Sequence, residues 1–180
     1  MNTMNPVKRT VLAALFAAMC VVLPIAFHSI PNAGSVFLPM HIPVLLCGMI
    51  CGWPYGLVCG IIGPFLCTMI TGMPPAAMLP AMMVECAAYG AVAGIMLKLV
   101  RTGKTGADLY IALIVAMLAG RVLAGIAKAL IFSPGITLSA WITASFVTAL
   151  PGILVQLVAI PILVSALTKA HMIPSRYPAE

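Results

Sequence analysis

The sequence predicts an all-α membrane protein of six transmembrane helices, forming one integral membrane domain over residues 1–180 with the N- and C-termini cytoplasmic. Three observations predict it. The chain is 63% hydrophobic and 7% charged, with a mean hydropathy of +1.20, far from soluble domains, and its apolar runs reach the length that crosses a hydrocarbon core. Gly, Pro and polar breakers divide those runs into six segments, 10–27, 38–53, 56–71, 75–97, 109–132 and 141–168. Basic residues also fall in alternate connections. No polar stretch is longer than the one around 101–108, so the sequence holds no separate soluble lobe.

The first segment follows Lys8 and Arg9 and is rich in alanine. A basic start before an apolar run also describes a signal peptide. Here the apolar run is long and no small-x-small site follows it promptly, so an uncleaved helix is expected. The second and third segments each offer about 16 residues, or ~24 Å of helix against a core of ~30 Å. Short spanning helices are expected rather than a re-entrant hairpin, because Trp53-Pro54-Tyr55-Gly56 between them supplies aromatic anchors for an interface. The fourth segment begins after Pro74-Pro75, the fifth runs to Phe132, and the sixth carries a kink at Pro151.

Orientation follows from charge. Lys8 and Arg9 precede segment 1, Lys98, Arg101 and Lys104 lie between segments 4 and 5, and Lys169 and Arg176 follow segment 6, whereas 28–41, 71–75 and 133–140 carry no Lys or Arg. Six crossings place all three basic clusters on one side, the cytoplasm. The net charge of +6 thus belongs to topology and membrane lipid. Nucleic-acid binding is excluded, since no basic patch is interleaved with exposed aromatics.

Enzymatic machinery is missing. The sequence has no Gly-x-x-x-x-Gly-Lys-Ser/Thr loop, no Gly-x-Ser-x-Gly and no His-Glu-x-x-His, and its only carboxylates are Glu85, Asp108 and Glu180, so neither ATP hydrolysis nor a two-carboxylate mechanism has its parts. Cys20, Cys47, Cys51, Cys59, Cys67 and Cys86 are spread over four segments without a Cys-x-x-Cys, and they read as small buried hydrophobes. A soft-metal site at His41, Cys47 and Cys51 is the competing reading. Methionines such as Met78, Met82 and Met83 read as packing. No catalytic residue, metal or cofactor is expected, and transport or binding of a small molecule survives the elimination.

Small residues make a second pattern. Ala13-x-x-x-Ala17 and Ala14-x-x-x-Ala18 give the first helix a flat face for close approach, and Gly48-x-x-x-Gly52 with Gly56-x-x-x-Gly60 does so around the second turn. The glycine series is read as internal packing. The alanines are open between packing and docking.

The run Leu12-Ala13-Ala14-Leu15-Phe16-Ala17-Ala18 resembles the substrate-binding S components of energy-coupling factor (ECF) transporters, which import vitamins in bacteria. So do Met40 to Gly48, Cys51-Gly52-Trp53-Pro54-Tyr55-Gly56-Leu57-Val58-Cys59-Gly60, Gly72-Met73-Pro74-Pro75 and Glu85 to Gly94. The resemblance runs from Val11 to about Leu97. It implies an S-component-like bundle in the bacterial cell (cytoplasmic) membrane that captures its substrate near the outer face. It also implies partners, a transmembrane coupling protein and two ATP-binding subunits, with Ala13, Ala14, Ala17 and Ala18 as the docking face. Met40-His41-Ile42-Pro43 is also similar to the start of nickel and cobalt S components, but these need a free N-terminal ligand and an acidic neighbour, so a metal substrate is not expected.

Charges inside apolar segments mark the site, since each costs a few kcal/mol at that depth. Counted from the outer ends, Glu85 and Arg121 lie ~15–17 Å deep and are expected to meet as a pair, while Lys128 lies ~6 Å down on the Arg121 face, beside Ala124 and Gly125, whose small side chains leave room for a ligand. Pair formation alone would be structural; contact with substrate would be functional. Tyr89 lies one turn from Glu85, Trp141 and Gln156 fall along one side of the last segment, and Asn32 and His41 bracket the outer loop. Together these residues describe a pocket for an anionic small molecule. The alternatives are a non-transport scaffold subunit and a stand-alone secondary carrier.

Overall fold

A computed structural model describes residues 4–27, 33–132, 135 and 137–177, and every regular element among them is helical. Helix α1 spans Pro6–Ala26. Asn5 caps it by accepting from the Val7 amide at 3.0 Å, and Pro6 stands in its first turn, where a missing N–H costs nothing. Lys8 and Arg9 therefore belong to the helix, which begins earlier than predicted. A short α2 (Ala33–Phe37) leads through the buried Leu38 and Met40 into α3 (His41–Cys51). Then come α4 (Trp53–Thr71), α5 (Leu79–Leu99) and α6 (Thr105–Ala127), the last continued by a π-helical turn, Lys128–Phe132. The final segment is broken: α7 (Leu138–Ile142) passes into a π-helical stretch, Thr143–Thr148, and α8 (Leu150–Lys169) starts afresh, with Pro151 in its first turn.

Five helices, α1, α4, α5, α6 with its extension, and α8, are long and apolar enough to cross a membrane. The second predicted segment is not among them. At 11 residues α3 reaches only ~16 Å, and nine of its residues are buried. The turn expected at Trp53-Pro54-Tyr55-Gly56 is instead the first turn of α4. The chain reverses one residue earlier, at Gly52, whose φ of 95° is open to glycine and strained for other residues.

Close approach of α3, α4 and α5 follows from a seam of glycines. A methyl group on Gly90 would meet the backbone of Gly56. One on Gly48 would meet the Gly90 carbonyl, one on Gly60 the backbone of Cys86, and one on Gly94 the backbone of Trp53. Backbone against backbone is the packing that small residues permit where lipid offers no hydrophobic drive. The internal reading of the Gly48 and Gly56 series therefore holds. On the far side of α4, Gly63 faces Cys20 of α1, and all six cysteines are buried with free thiols. Outward faces carry Val7, Val11, Leu15, Ile61, Ile62 and Ile114, all exposed, as a lipid-facing surface requires.

Polar contacts define one basic end. Thr10 and Tyr55 hydroxyls lie 3.4 Å apart, joining the starts of α1 and α4, while Gly94 of α5 abuts Trp53. Asp108, fully buried in the first turn of α6, accepts from the Thr102 amide at 2.8 Å, the Thr102 hydroxyl at 2.7 Å, the Tyr177 hydroxyl at 2.6 Å and Arg176 Nε at 2.5 Å. Arg176 also donates to the Val100 carbonyl. The chain after α8 is thus strapped across the α5–α6 connection. Of the nine Lys and Arg residues, all but Arg121 and Lys128 belong to elements that converge on this end.

Gly90→Val should separate α4 from α5 and lower thermal stability by ~1–3 kcal/mol through overpacking. The same change at Gly106, which has open space around it, serves as the control, and equal melting temperatures of the two variants in detergent would show that the seam does not carry the packing.

Candidate functional site

Helix starts at the end opposite the basic one set the depth of the polar residues. Glu85 lies ~9 Å along α5 from Leu79, and Gln156 the same distance along α8 from Leu150. Glu85 is shallower than counting from Pro75 implied, because α5 begins four residues later. His41 opens α3 at this level: its Nε2 stands 3.8 Å from Glu85 Oε1, and its ring meets that of Tyr89 edge-on at 5.1 Å. Tyr89, fully buried, donates its hydroxyl to Glu85 Oε1 at 3.2 Å. Gly120 of α6 makes room for the Tyr89 ring, since a methyl there would overlap it, and approaches the Glu85 carbonyl as well. Its neighbour Arg121 therefore sits beside this group.

The expected Glu85–Arg121 ion pair is not formed. Among the described residues the carboxylates instead face Arg176, which pairs with Asp108, and the His41 ring, which approaches Glu85 without a hydrogen bond. Arg121, 4% exposed, instead donates from Nη1 to the Ser145 carbonyl and places its guanidinium 5.6 Å from the centre of the Phe146 ring. The reason is the π-helical stretch after α7: it brings a carbonyl and an aromatic face to Arg121, and sequence periodicity gives no sign of it. Arg121 Nε and Nη2 have no hydrogen-bond partner. Such donors, buried and unused, are what an anionic group would satisfy.

Other predicted residues divide clearly. Gln156 is fully buried. Lys128 is half-buried at the junction of α6 and its π-turn, where a cation also suits the helix C-terminus. Trp141 is half-buried and packs its indole over Gly125, so the space expected beside Gly125 is filled by protein. The same ring meets Phe146 edge-on at 5.8 Å, which makes Trp141 a support for the Arg121 contact. Asn32 lies outside the described residues. Phe146 went unnoticed in the sequence, and no spacing there singles it out. The soft-metal alternative finds no support: among the described residues no three His, Cys, Asp or Glu side chains are placed to hold an ion.

Ala13, Ala14 and Ala17 line an apolar groove of about 360 Å³ between α1 and α4, with Tyr55 and Val58 opposite. Ala14 and Ala18 are exposed, and Ala18 stands outside the groove. The flat face predicted for the first helix thus has one half turned toward α4 and one half turned outward.

Because Glu85 keeps His41 and Tyr89, Arg121→Met should cost only ~1–3 kcal/mol, the loss of a hydrogen bond to a charged donor and a ring contact. A double-mutant cycle of Arg121→Met with Glu85→Gln should give a coupling below about 1 kcal/mol, charge attraction without a direct hydrogen bond. Tyr89→Phe with Glu85→Gln should couple by about 1 kcal/mol. A coupling above 1 kcal/mol between positions 85 and 121 would restore the direct pair.

Comparison with known proteins gives one positive result. No curated protein matches the chain. The family described as ECF transporter, substrate-specific component, matches residues 8–164, which include every element of the site and the groove. Members are substrate-binding membrane proteins rather than enzymes, in keeping with a chain of apolar helices that holds unpaired polar groups among them. The chain belongs to the substrate-specific components of ECF transporters.

Proposed function

We propose that this chain is the binding subunit of an ATP-driven ECF importer in the bacterial cell membrane, and that it captures a water-soluble vitamin or a similar small anionic metabolite from the outside. The observation that carries this reading is Arg121, a buried guanidinium with two unpartnered nitrogens beside Glu85 and Tyr89. A permanent charge is held at such depth at a cost of a few kcal/mol, and its unused N–H groups match a carboxylate or phosphate. Lys128, shallower on the same helix, adds long-range attraction for the same charge.

The basic end is assigned to the cytoplasm by the positive-inside rule. The polar group then lies in the outer half. Six crossings result when α2, the buried turn through Leu38 and Met40, and α3 are counted as one. Irregular backbone at membrane depth is tolerated where protein covers it, and both turn residues are buried. The groove beside Ala13, Ala14 and Ala17, with the exposed Ala18 next to it, is the docking face for a transmembrane coupling protein, which in turn engages two ATP-binding subunits. Its smooth apolar surface supports that role. The chain itself needs no cofactor.

Three measurements test the reading. Cysteines introduced at Gly34 and Gly135 should be labelled from outside and one at Thr105 only from inside; labelling of Gly34 solely from the cytoplasm would reverse the orientation and the site with it. Protein purified alone should carry a small anion identifiable by mass spectrometry, and Lys128→Ala should weaken its affinity at least tenfold, ~1.4 kcal/mol. Unchanged affinity would remove Lys128 from the site. In proteoliposomes with the partner subunits, uptake should require ATP. Ala14→Trp should abolish it while binding to the solitary chain persists. Uptake without partners would instead identify a secondary carrier, and absence of any binding a scaffold.

A further inference from the structure

Gln156 is 0% exposed, and neither its amide nitrogen nor its amide oxygen has a hydrogen-bond partner in the protein. Membrane depth makes this state costly, because an unmet donor and an unmet acceptor both lose their hydration. Leucine or methionine would fill the same volume without that penalty. His41 is in the same condition. It is 1% exposed, and neither Nδ1 nor Nε2 has a hydrogen-bond partner, the 3.8 Å approach to Glu85 lying beyond hydrogen-bond range.

Chain direction brings these groups to one level. Gly152 of α8 packs on the backbone of Val36 and Phe37 at the end of α2. From that contact, Gln156 lies one turn further along α8 and His41 four residues further along the chain, and both helices run toward the basic end. On α6, Arg121 likewise keeps Nε and Nη2 without a partner.

The inventory of unmet groups restricts what can fill the site. Arg121 offers donors only. The Gln156 carboxamide offers a donor beside an acceptor, and a neutral imidazole one of each. A carboxylate or a fully ionised phosphate satisfies Arg121 but brings no donor of its own to the Gln156 oxygen. A neutral group that satisfies both atoms of a carboxamide at once is another cis-amide edge, an N–H adjacent to a C=O, through two antiparallel hydrogen bonds. Lactams, cyclic ureas and pyrimidinones present this edge.

We propose that the substrate carries a lactam-type edge in addition to its anionic group, and that Gln156 reads this edge, with His41 supplying a further hydrogen bond. The inference rests on the reading of this region as the substrate site and narrows its ligand class.

The test uses two matched probes on the purified full-length chain, 2-pyrrolidinone and N-methyl-2-pyrrolidinone, which differ by one N–H. At a concentration about tenfold above its Kd, 2-pyrrolidinone should raise the melting temperature by about 3 °C more than the methylated probe. Gln156→Met should abolish the difference. Without any probe, the same variant should melt above the wild type, because two unsatisfied atoms are removed. Equal response of the wild type to the two lactams overturns the proposal, as does a lower probe-free melting temperature of Gln156→Met, which would show the amide bonded within the protein. Acetate separates the two levels of the argument: protection by acetate with no lactam preference defeats only the lactam edge, whereas protection by neither probe class defeats the substrate-site reading as well.

Discussion

Backbone contact among α3, α4 and α5 is the constraint on which the remaining structure depends. In lipid, apolar side chains gain little by leaving one neighbour for another, so helices hold together where surfaces fit closely. Gly48, Gly56, Gly60, Gly90 and Gly94 supply that fit by leaving no side chain in the way. With the three helices locked at this spacing, α3 can remain short and fully enclosed. Its first residue, His41, is then enclosed rather than left at a surface, and a polar group is held inside an apolar bundle.

The same economy of side chains operates around the site. Gly120 admits the Tyr89 ring between α5 and α6, Gly125 admits the Trp141 indole, and Gly152 admits the end of α2. Each glycine lets a neighbouring element come close enough to aim a functional group. The π-helical stretch at Thr143–Thr148 completes the arrangement by turning a carbonyl and the Phe146 ring toward Arg121. What results is a set of unmet polar atoms held between packed helices, the condition that the proposed substrate site requires.

Class, charge asymmetry and the glycine seam were legible in the sequence, because each depends on composition or on spacing within one helix. Tyr89 and Glu85 belong to the same group, being neighbours one turn apart. Pairing across helices was not legible. Depth matched Arg121 to Glu85, yet the partner of Glu85 is His41, which reaches that depth only because α3 is half the length of a span. Gly52 was hidden by the more conspicuous Trp53-Pro54, although proline in a first turn is a start signal for a helix rather than a loop. Trp141 and Gly125 show the same limit: a small residue on a helix face signals space, and only the fold decides whether ligand or protein fills it.

Asp108 has a consequence for synthesis of the chain. Its carboxylate sits in the first turn of α6 without exposure to solvent, and two of its donors, Arg176 and Tyr177, are made almost seventy residues later. While the ribosome is still extending α8, the α5–α6 connection has only Thr102 to hold that charge. Arg176 and Tyr177 therefore convert a provisional hairpin into a finished one. A chain truncated before Arg176 would keep every long apolar helix and leave this carboxylate poorly compensated at the basic end.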